Sequence, residues 1–145
     1  GRRQAVVSTD MLSYHPEKKE WRQESILPFS AEGSPNTLTG GCAVSSGNNS
    51  ILLMGGVNYS RFRDALNTPS PDYLLHPVEW YRFNTFLLQY DTFTRKWEII
   101  GEDERLARAG AGIALDGDEI ILINGELKPG IRTPEVNRFR LKGSK

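Results

Sequence analysis

Two segments of the chain align with each other without a gap, and this internal repeat restricts the fold more than any other feature. The segments are TGGCAVSSGNNSILLMGGVN, residues 39–58, and RAGAGIALDGDEIILINGEL, residues 108–127. Small residues match small residues, and each copy contains an apolar run that is typical of a buried strand. Each run ends in a dipeptide that tolerates positive φ, Gly55-Gly56 or Asn124-Gly125. Repetition at this scale indicates one supersecondary unit used more than once.

A second pair of segments completes the unit. Residues 10–21, DMLSYHPEKKEW, match residues 86–97, FLLQYDTFTRKW, so that a Tyr precedes a Trp across a polar turn in both. The order is then a Gly-rich strand a, an apolar strand b, a strand c ending at the Tyr and a strand d starting near the Trp. This pattern predicts an all-β protein of four-stranded antiparallel meanders, which are blades of a kelch-type β-propeller. The predicted strands lie near residues 41–45, 50–55, 85–91, 96–100, 110–115, 119–124 and 136–141.

The repeats predict that residues 1–145 form a partial propeller of about two and a half blades. Residues 10–23 supply strands c and d of one blade, residues 39–101 a full blade, and residues 108–141 strands a to c of the next. A closed ring needs four to eight blades, so the remaining blades come from a longer chain or from another copy. Residues 57–84 form an insertion between strands b and c of the full blade. Long insertions are often functional. The alternative here is a partly helical flap that stiffens the rim.

Composition excludes several classes of function. The 18 basic residues balance the 18 acidic ones, which gives no electrostatic case for nucleic acid or an anionic membrane. No apolar run approaches the ~20 residues that span a bilayer, and the N-terminal GRRQ shows no signal-peptide core, which leaves the compartment open because mature exported chains also lack one. The single Cys42 gives no metal-site spacing and is expected to be a small buried hydrophobe.

Charged side chains follow the second apolar run directly. Glu126, Lys128 and Arg132 lie on one short loop after residues 119–124, with Pro129-Gly130 bending the chain between them. Loops held at the end of a rigid strand often carry binding and catalytic groups, although a solvated turn is the alternative. Because the connections after strand b leave on one face of a propeller, this loop and the insertion are expected to border one cavity at the channel mouth.

At these residues the chain resembles the sialic acid mutarotases, the N-acetylneuraminate epimerases of the kelch-propeller type, and their cyclically permuted relatives. The resemblance covers residues 39–141 and is carried by LLMGGVN, YRFNTFLLQYD, RAGAGIA and, most specifically, LINGELKPGIRT. It implies a six-bladed propeller in the periplasm that interconverts the α and β anomers of N-acetylneuraminate without a cofactor. It also implies that Glu126 and Arg132 act in the central site.

The residue types fit that chemistry. Mutarotation opens and recloses a cyclic hemiketal, and one carboxyl such as Glu126 can act as acid or base in both directions. Arg132 is suited to bind the substrate carboxylate in bidentate fashion. Lys128 and Asn124 are further candidates for substrate binding, although a solvated lysine is the alternative for Lys128. A kelch module that binds protein or glycan without chemistry, and a catalytically inactive piece of a propeller, remain alternative interpretations.

Overall fold

A computed structural model describes residues 3–143, which form eleven strands and a few short helices. The strands are β1 (Asp10–His15), β2 (Glu20–Ile26), β3 (Gly41–Gly47), β4 (Ser50–Gly55), β5 (Phe86–Asp91), β6 (Lys96–Glu102), β7 (Gly112–Asp116), β8 (Glu119–Ile123), β9 (Glu126–Lys128), β10 (Ile131–Arg132) and β11 (Val136–Arg140). The α-helices are α1 (Tyr59–Asn67) and α2 (Val78–Tyr81), and 3-10 helices span Tyr73–Leu75 and Glu104–Leu106. The molecule is therefore all-β, as predicted.

The strands form antiparallel sheets of neighbours in the chain, except that β8 pairs with β11 while β9 and β10 pair with each other. The central sheet has the order β3-β4-β5-β6, the next has the order β11-β8-β7, and β1–β2 and β9–β10 are two-stranded. The central sheet is the kelch-type meander that the repeat predicts. Several predicted boundaries differ by two or three residues. Strands β3 and β6 end at Gly47 and Glu102 rather than at 45 and 100, β7 begins at Gly112 rather than at 110, where Gly110 has a φ of +63°, and β2 extends to Ile26 rather than ending at 23.

Strand β4 contains the continuous apolar run Ile51–Met54 because both of its faces are buried. Leu52 and Met54 point to one side, into a core shared with Ile120 and Leu122 of the next sheet. Leu53 points to the opposite side, into a core that the neighbouring β1–β2 side of the molecule covers. A strand buried on both faces needs a continuous apolar run rather than an alternating one. The stacking of sheets on either side of β4 thus explains the sequence ILLM.

The Tyr and Trp of the repeat pair across neighbouring strands in both copies. Tyr14 faces Trp21 and Tyr90 faces Trp97, with ring centroids 5.1 and 4.6 Å apart. The second pair is covered by the β1–β2 hairpin, because Ser25 accepts a hydrogen bond from the Trp97 indole at 2.9 Å. Tyr90 is accordingly 2% exposed, whereas Trp21, on the outer hairpin, is 67% exposed. The same pair therefore packs between sheets where a neighbouring sheet is present.

The insertion between β4 and β5 is partly helical. Helix α1 is capped by Asn58, whose side-chain oxygen accepts a hydrogen bond from the backbone of Arg61 at 3.1 Å. Helix α2 ends in Tyr81, which is 1% exposed and packs edge-on against Tyr73 and Trp80. The insertion thus has an aromatic core of its own. Within residues 3–143, no helix has the length and apolar character of a membrane span.

Candidate functional site

The segment after β8 is a small β-hairpin rather than the loop expected from its sequence. Strands β9 and β10 pair antiparallel, with Glu126 opposite Arg132 and Lys128 opposite Ile131. Pro129 and Gly130 form the turn, and Gly130 supplies a φ of +79°. A register shift between Ile131 and Arg132 marks a bulge, and bulges redirect side chains next to functional sites. The pairing places Glu126 and Arg132 across from each other on the two strands.

Backbone hydrogen bonds fix the base of this hairpin to the segment just before β7. Glu126 and Ala109 exchange both bonds, at 2.7 and 3.0 Å, and Thr133 donates to the carbonyl of Gly125 at 2.9 Å. Gly125 has a φ of +101°, and a Cβ there would lie 3.0 Å from Ala111 Cβ and 3.1 Å from the Cβ of Arg108. Only glycine fits this close approach, which explains the Asn-Gly dipeptide. The hairpin therefore starts from a rigid point.

Glu126 and Arg132 form an ion pair on the hairpin. Arg132 Nε lies 3.5 Å from Glu126 Oε1, and the arginine side chain is 82% exposed whereas the carboxylate is 31% exposed. An ion pair this accessible to water is worth about 0–1 kcal/mol. The guanidinium can therefore leave Glu126 for an incoming anion at little cost. The pair thus combines a half-buried carboxylate with a cation that is free to bind.

An open cavity of about 850 Å³ lies in front of this pair. Its walls combine the residues just before β3 and β7 with the ends of the hairpin. It contains three of the four predicted site residues, Asn124, Glu126 and Arg132. The others that line it are Gly40, Ala109, Gly110, Gly125, Thr133 and Pro134. Sequence reasoning missed Gly40, Ala109 and Gly110, although their Gly-rich context in strand a was visible.

Asn124 stands at the edge of this cavity in a left-handed conformation. Its φ is +58° and it is exposed, while its backbone N–H donates to the carbonyl of Glu135 at 2.8 Å. Asparagine tolerates this region better than other side chains with a Cβ. Its amide is therefore presented to the cavity without strain in the chain. Substrate binding by Asn124 stays a prediction.

Lys128 does not line the cavity and its ammonium contacts the insertion instead. Substrate binding by Lys128 stays a prediction. Its ammonium donates to the carbonyls of Leu74 and His76 at 3.1 and 2.7 Å. The same nitrogen lies 5.8 Å from the ring centroid of Tyr81, within the range of a cation–π contact. The hairpin and the insertion therefore meet on one face of adjacent blades. Their approach agrees with the topology inferred from the positions of the two connections. The insertion, which lies wholly within the described residues, contributes none of the residues that line the cavity, so the expectation that both connections border one cavity is wrong.

Other polar and titratable side chains lie outside the cavity. His76 stacks on Trp80 with ring centroids 3.9 Å apart, and Arg61 covers the same indole at 4.4 Å. Cys42 packs against the core, and burial raises the pKa of its thiol to about 11. Burial also raises the pKa of the Tyr81 phenol, which donates to the carbonyl of Tyr73. Arg61 and His76 line a second, smaller cavity of about 260 Å³ in the insertion.

His15 belongs to a polar cluster between the first two sheets. Its ring lies 3.0 Å from the hydroxyl of Ser13, which donates to Glu24. The hydrogen bond from Ser13 and the guanidinium of Arg95 lower the pKa of the Glu24 carboxyl. In the part of the chain described, residues 3–143, no cluster of three or more His, Cys, Asp or Glu side chains could hold a metal ion.

The chain is similar along its whole length to one family of proteins. The family profile described as N-acetylneuraminate epimerase (NANM) matches residues 2–145. Curated proteins named N-acetylneuraminate epimerase from Shigella sonnei (strain Ss046) and Escherichia coli (strain K12) are both 32% identical to the chain over 152 aligned residues. These alignments cover 95% of this chain and 39% of each relative. The chain therefore spans about two-fifths of the length of the curated relatives it matches.

A solved structure supports the same relationship. The structure described as "Structure of YjhT" superposes with a TM-score of 0.74 at 30% sequence identity. The superposition covers 91% of this chain and 40% of that one. A superposition over 91% of the chain extends beyond a single blade.

Proposed function

The chain belongs to the N-acetylneuraminate epimerase family, and we propose that the propeller to which it contributes interconverts the α and β anomers of N-acetylneuraminate. Glu126 acts as the acid and base, and Arg132 binds the substrate carboxylate. The observation that carries the proposal is the 3.5 Å pairing of these two side chains at the wall of the open cavity. Relatives that carry the epimerase name support the choice of substrate.

The reaction requires a side chain that can both accept and donate a proton at the reacting atoms. In ring opening, a base takes the proton of the anomeric hydroxyl while the ring oxygen is protonated, and the hemiketal carbon becomes a ketone. Rotation about the adjacent bond presents the other face of the carbonyl, and the same two proton transfers in reverse close the ring. Glu126 can take and return the proton directly or through water. The step is an isomerisation and leaves no net change in protons or electrons.

Arg132 accounts for the orientation of the substrate. N-acetylneuraminate carries a carboxylate on its anomeric carbon, so a group that binds the carboxylate also places the reacting carbon. A guanidinium does this with two parallel N–H···O bonds. Its ion pair with Glu126 holds the fork beside the carboxyl in the free protein. Substrate binding then moves Arg132 to the substrate and leaves Glu126 unpaired, at the reacting carbon.

The test replaces Glu126 by Gln in the complete propeller that contains this segment. Anomer exchange of N-acetylneuraminate is measured by NMR exchange spectroscopy, with Glu98→Gln on the exposed side of β6 as the matched control. We expect Glu126→Gln to slow exchange by about 10²–10⁴-fold, because general acid–base help is worth that much, while substrate binding is largely kept. An unchanged exchange rate would show that Glu126 is a turn residue and favour a kelch module that binds without chemistry.

A further inference from the structure

The contact between Lys128 and the insertion joins two parts of the molecule that are more than fifty residues apart in sequence. One ammonium group bonds two backbone carbonyls, those of Leu74 and His76, and its position over Tyr81 adds a cation–π contact. Hydrogen bonds from a charged donor are about twice as strong as neutral ones. The contact is thus a specific attachment of the hairpin to the insertion.

The two carbonyls are available because of the local sequence of the insertion. The 3-10 helix Tyr73–Leu75 ends at this point, and the last carbonyls of a helix have no partner within it. His76 is followed by Pro77, which forces an extended backbone (ψ 151°) and contributes no N–H to continue the helix. A helix end that stops before a proline therefore presents a pair of carbonyls, and Lys128 satisfies both.

The position of Lys128 in β9 connects this attachment to the site. Lys128 lies two residues after Glu126 on β9, beyond the bulge, and its side chain points to the insertion while Glu126 lines the cavity. A hairpin this short is marginally stable by itself, and the Ala109–Glu126 bonds fix only its base. The attachment at Lys128 fixes the opposite end, next to the turn that leads to Arg132.

We propose that Lys128 is a positioning residue, and that the insertion is a brace which holds the Glu126–Arg132 hairpin in its working geometry. The effect on catalysis rests on the proposed function, whereas the brace itself does not. The competing interpretation is that Lys128 binds the substrate carboxylate directly. The two interpretations predict different results. If Lys128 binds the substrate directly, its loss weakens substrate binding whether or not Glu126 is present. If Lys128 positions the hairpin, its loss matters only while Glu126 is present.

The experiment uses the full-length protein and three variants of lysine. Lys128→Met keeps the apolar stem over Tyr81 and removes the donors, Lys128→Arg restores a cation with several donors, and Lys96→Met on β6 is the surface control. Hydrogen–deuterium exchange is expected to accelerate at residues 72–77 and 126–132 in Lys128→Met, with β4 and β8 unaffected. It should return towards the wild-type rate in Lys128→Arg. Exchange that is unchanged in Lys128→Met would overturn the brace.

The kinetic arm tests whether the brace serves the site. We expect Lys128→Met to reduce the anomer exchange rate by roughly 10–100-fold, because a small displacement of a catalytic group costs that much. In a Glu126→Gln background the same change should cost almost nothing, since the misplaced group is already inactive. An equal loss in both backgrounds, or accelerated hydrogen exchange without any loss of rate, would overturn the positioning role. A wild-type protein without mutarotase activity would instead refute the proposed function, and hydrogen exchange would still decide the brace.

Discussion

The two connections between strands b and c start and finish alike, yet they are built in different ways. Both begin after a dipeptide with positive φ, and both return by donating a backbone N–H to its second residue, Asn84 to Gly56 and Thr133 to Gly125. The connection after β8 contains seven residues, 126–132, folded as a charged hairpin. The connection after β4 contains 27 residues, 57–83, with helices and an aromatic core.

The two connections contribute different things to the same face of neighbouring blades. The short connection presents Glu126 and Arg132 to the cavity, and it is too small to have a core. The long connection buries Tyr81 and supplies the carbonyls that Lys128 binds. Precise sites depend on supporting contacts around the reacting groups. We therefore interpret one connection as carrying the site and the other as supporting it.

The largest expected effect on the free energy of unfolding comes from exchanging the first residues of the positive-φ dipeptides that precede the two connections. Gly55 and Asn124 occupy the same place in the repeat, but a Cβ on Gly55 would lie 2.5 Å from the carbonyl oxygen of Arg108. Gly55→Asn should lower the free energy of unfolding by about 3 kcal/mol, from backbone strain and crowding together. The reciprocal Asn124→Gly should change it by less than about 0.5 kcal/mol, because that position is exposed. Urea denaturation of the full-length protein measures both, and equal losses would show that the two openings are interchangeable.

A smaller effect is expected where the two connections return. The buried Asn84 amide donates to the carbonyls of Thr37 and Gly55 at 2.8 and 2.9 Å. Asn84→Leu keeps the volume and leaves both carbonyls unsatisfied, so we expect a loss of about 2 kcal/mol, about 1 for each bond. At the equivalent position, Thr133→Val removes a hydroxyl that accepts one long bond, at 3.2 Å from the Glu135 nitrogen, and should cost less than half as much. A similar change in melting temperature for both would contradict the stronger anchoring of the long connection.

The smallest expected effect separates the chemical roles of the two connections. If Arg132 binds the substrate carboxylate, Arg132→Lys should raise the KM for N-acetylneuraminate about tenfold, because a bidentate contact becomes a point charge. The matched change in the insertion, Arg61→Lys, should leave KM unchanged, since that guanidinium lies over Trp80. NMR exchange rates at several substrate concentrations measure both. An equal rise in KM for the two variants would place substrate contacts in the insertion as well.

Much of the fold was predictable because its sequence signals are local. The run Ile120–Ile123 lies in β8, and the cross-strand pairs Tyr14–Trp21 and Tyr90–Trp97 follow from the spacing across a polar turn. The proximity of Glu126 and Arg132 was also predictable from the sequence, because the motif places both residues on one short bend. Their roles in the reaction remain predictions.

What escaped prediction depends on contacts between distant segments. Nothing near Lys128 in the sequence indicates that its ammonium bonds carbonyls of the insertion, because those partners are brought to it only by the packing of adjacent blades. The burial of Tyr81 follows from the aromatic core of the insertion, and not from a strand or helix period. The hairpin pairing was missed because Pro129-Gly130 indicates a turn without showing that its flanks pair.

The common return point of the two connections has a consequence for how the length of a blade can change. The entropy lost on closing a loop grows only with the logarithm of its length, so 27 residues cost about 1 kcal/mol more than seven. A connection with a buried aromatic core can offset a difference of that size. Residues can therefore be inserted between strands b and c with little effect on the pairing of the flanking strands. Neighbouring blades can diverge there independently while their strands keep a common register.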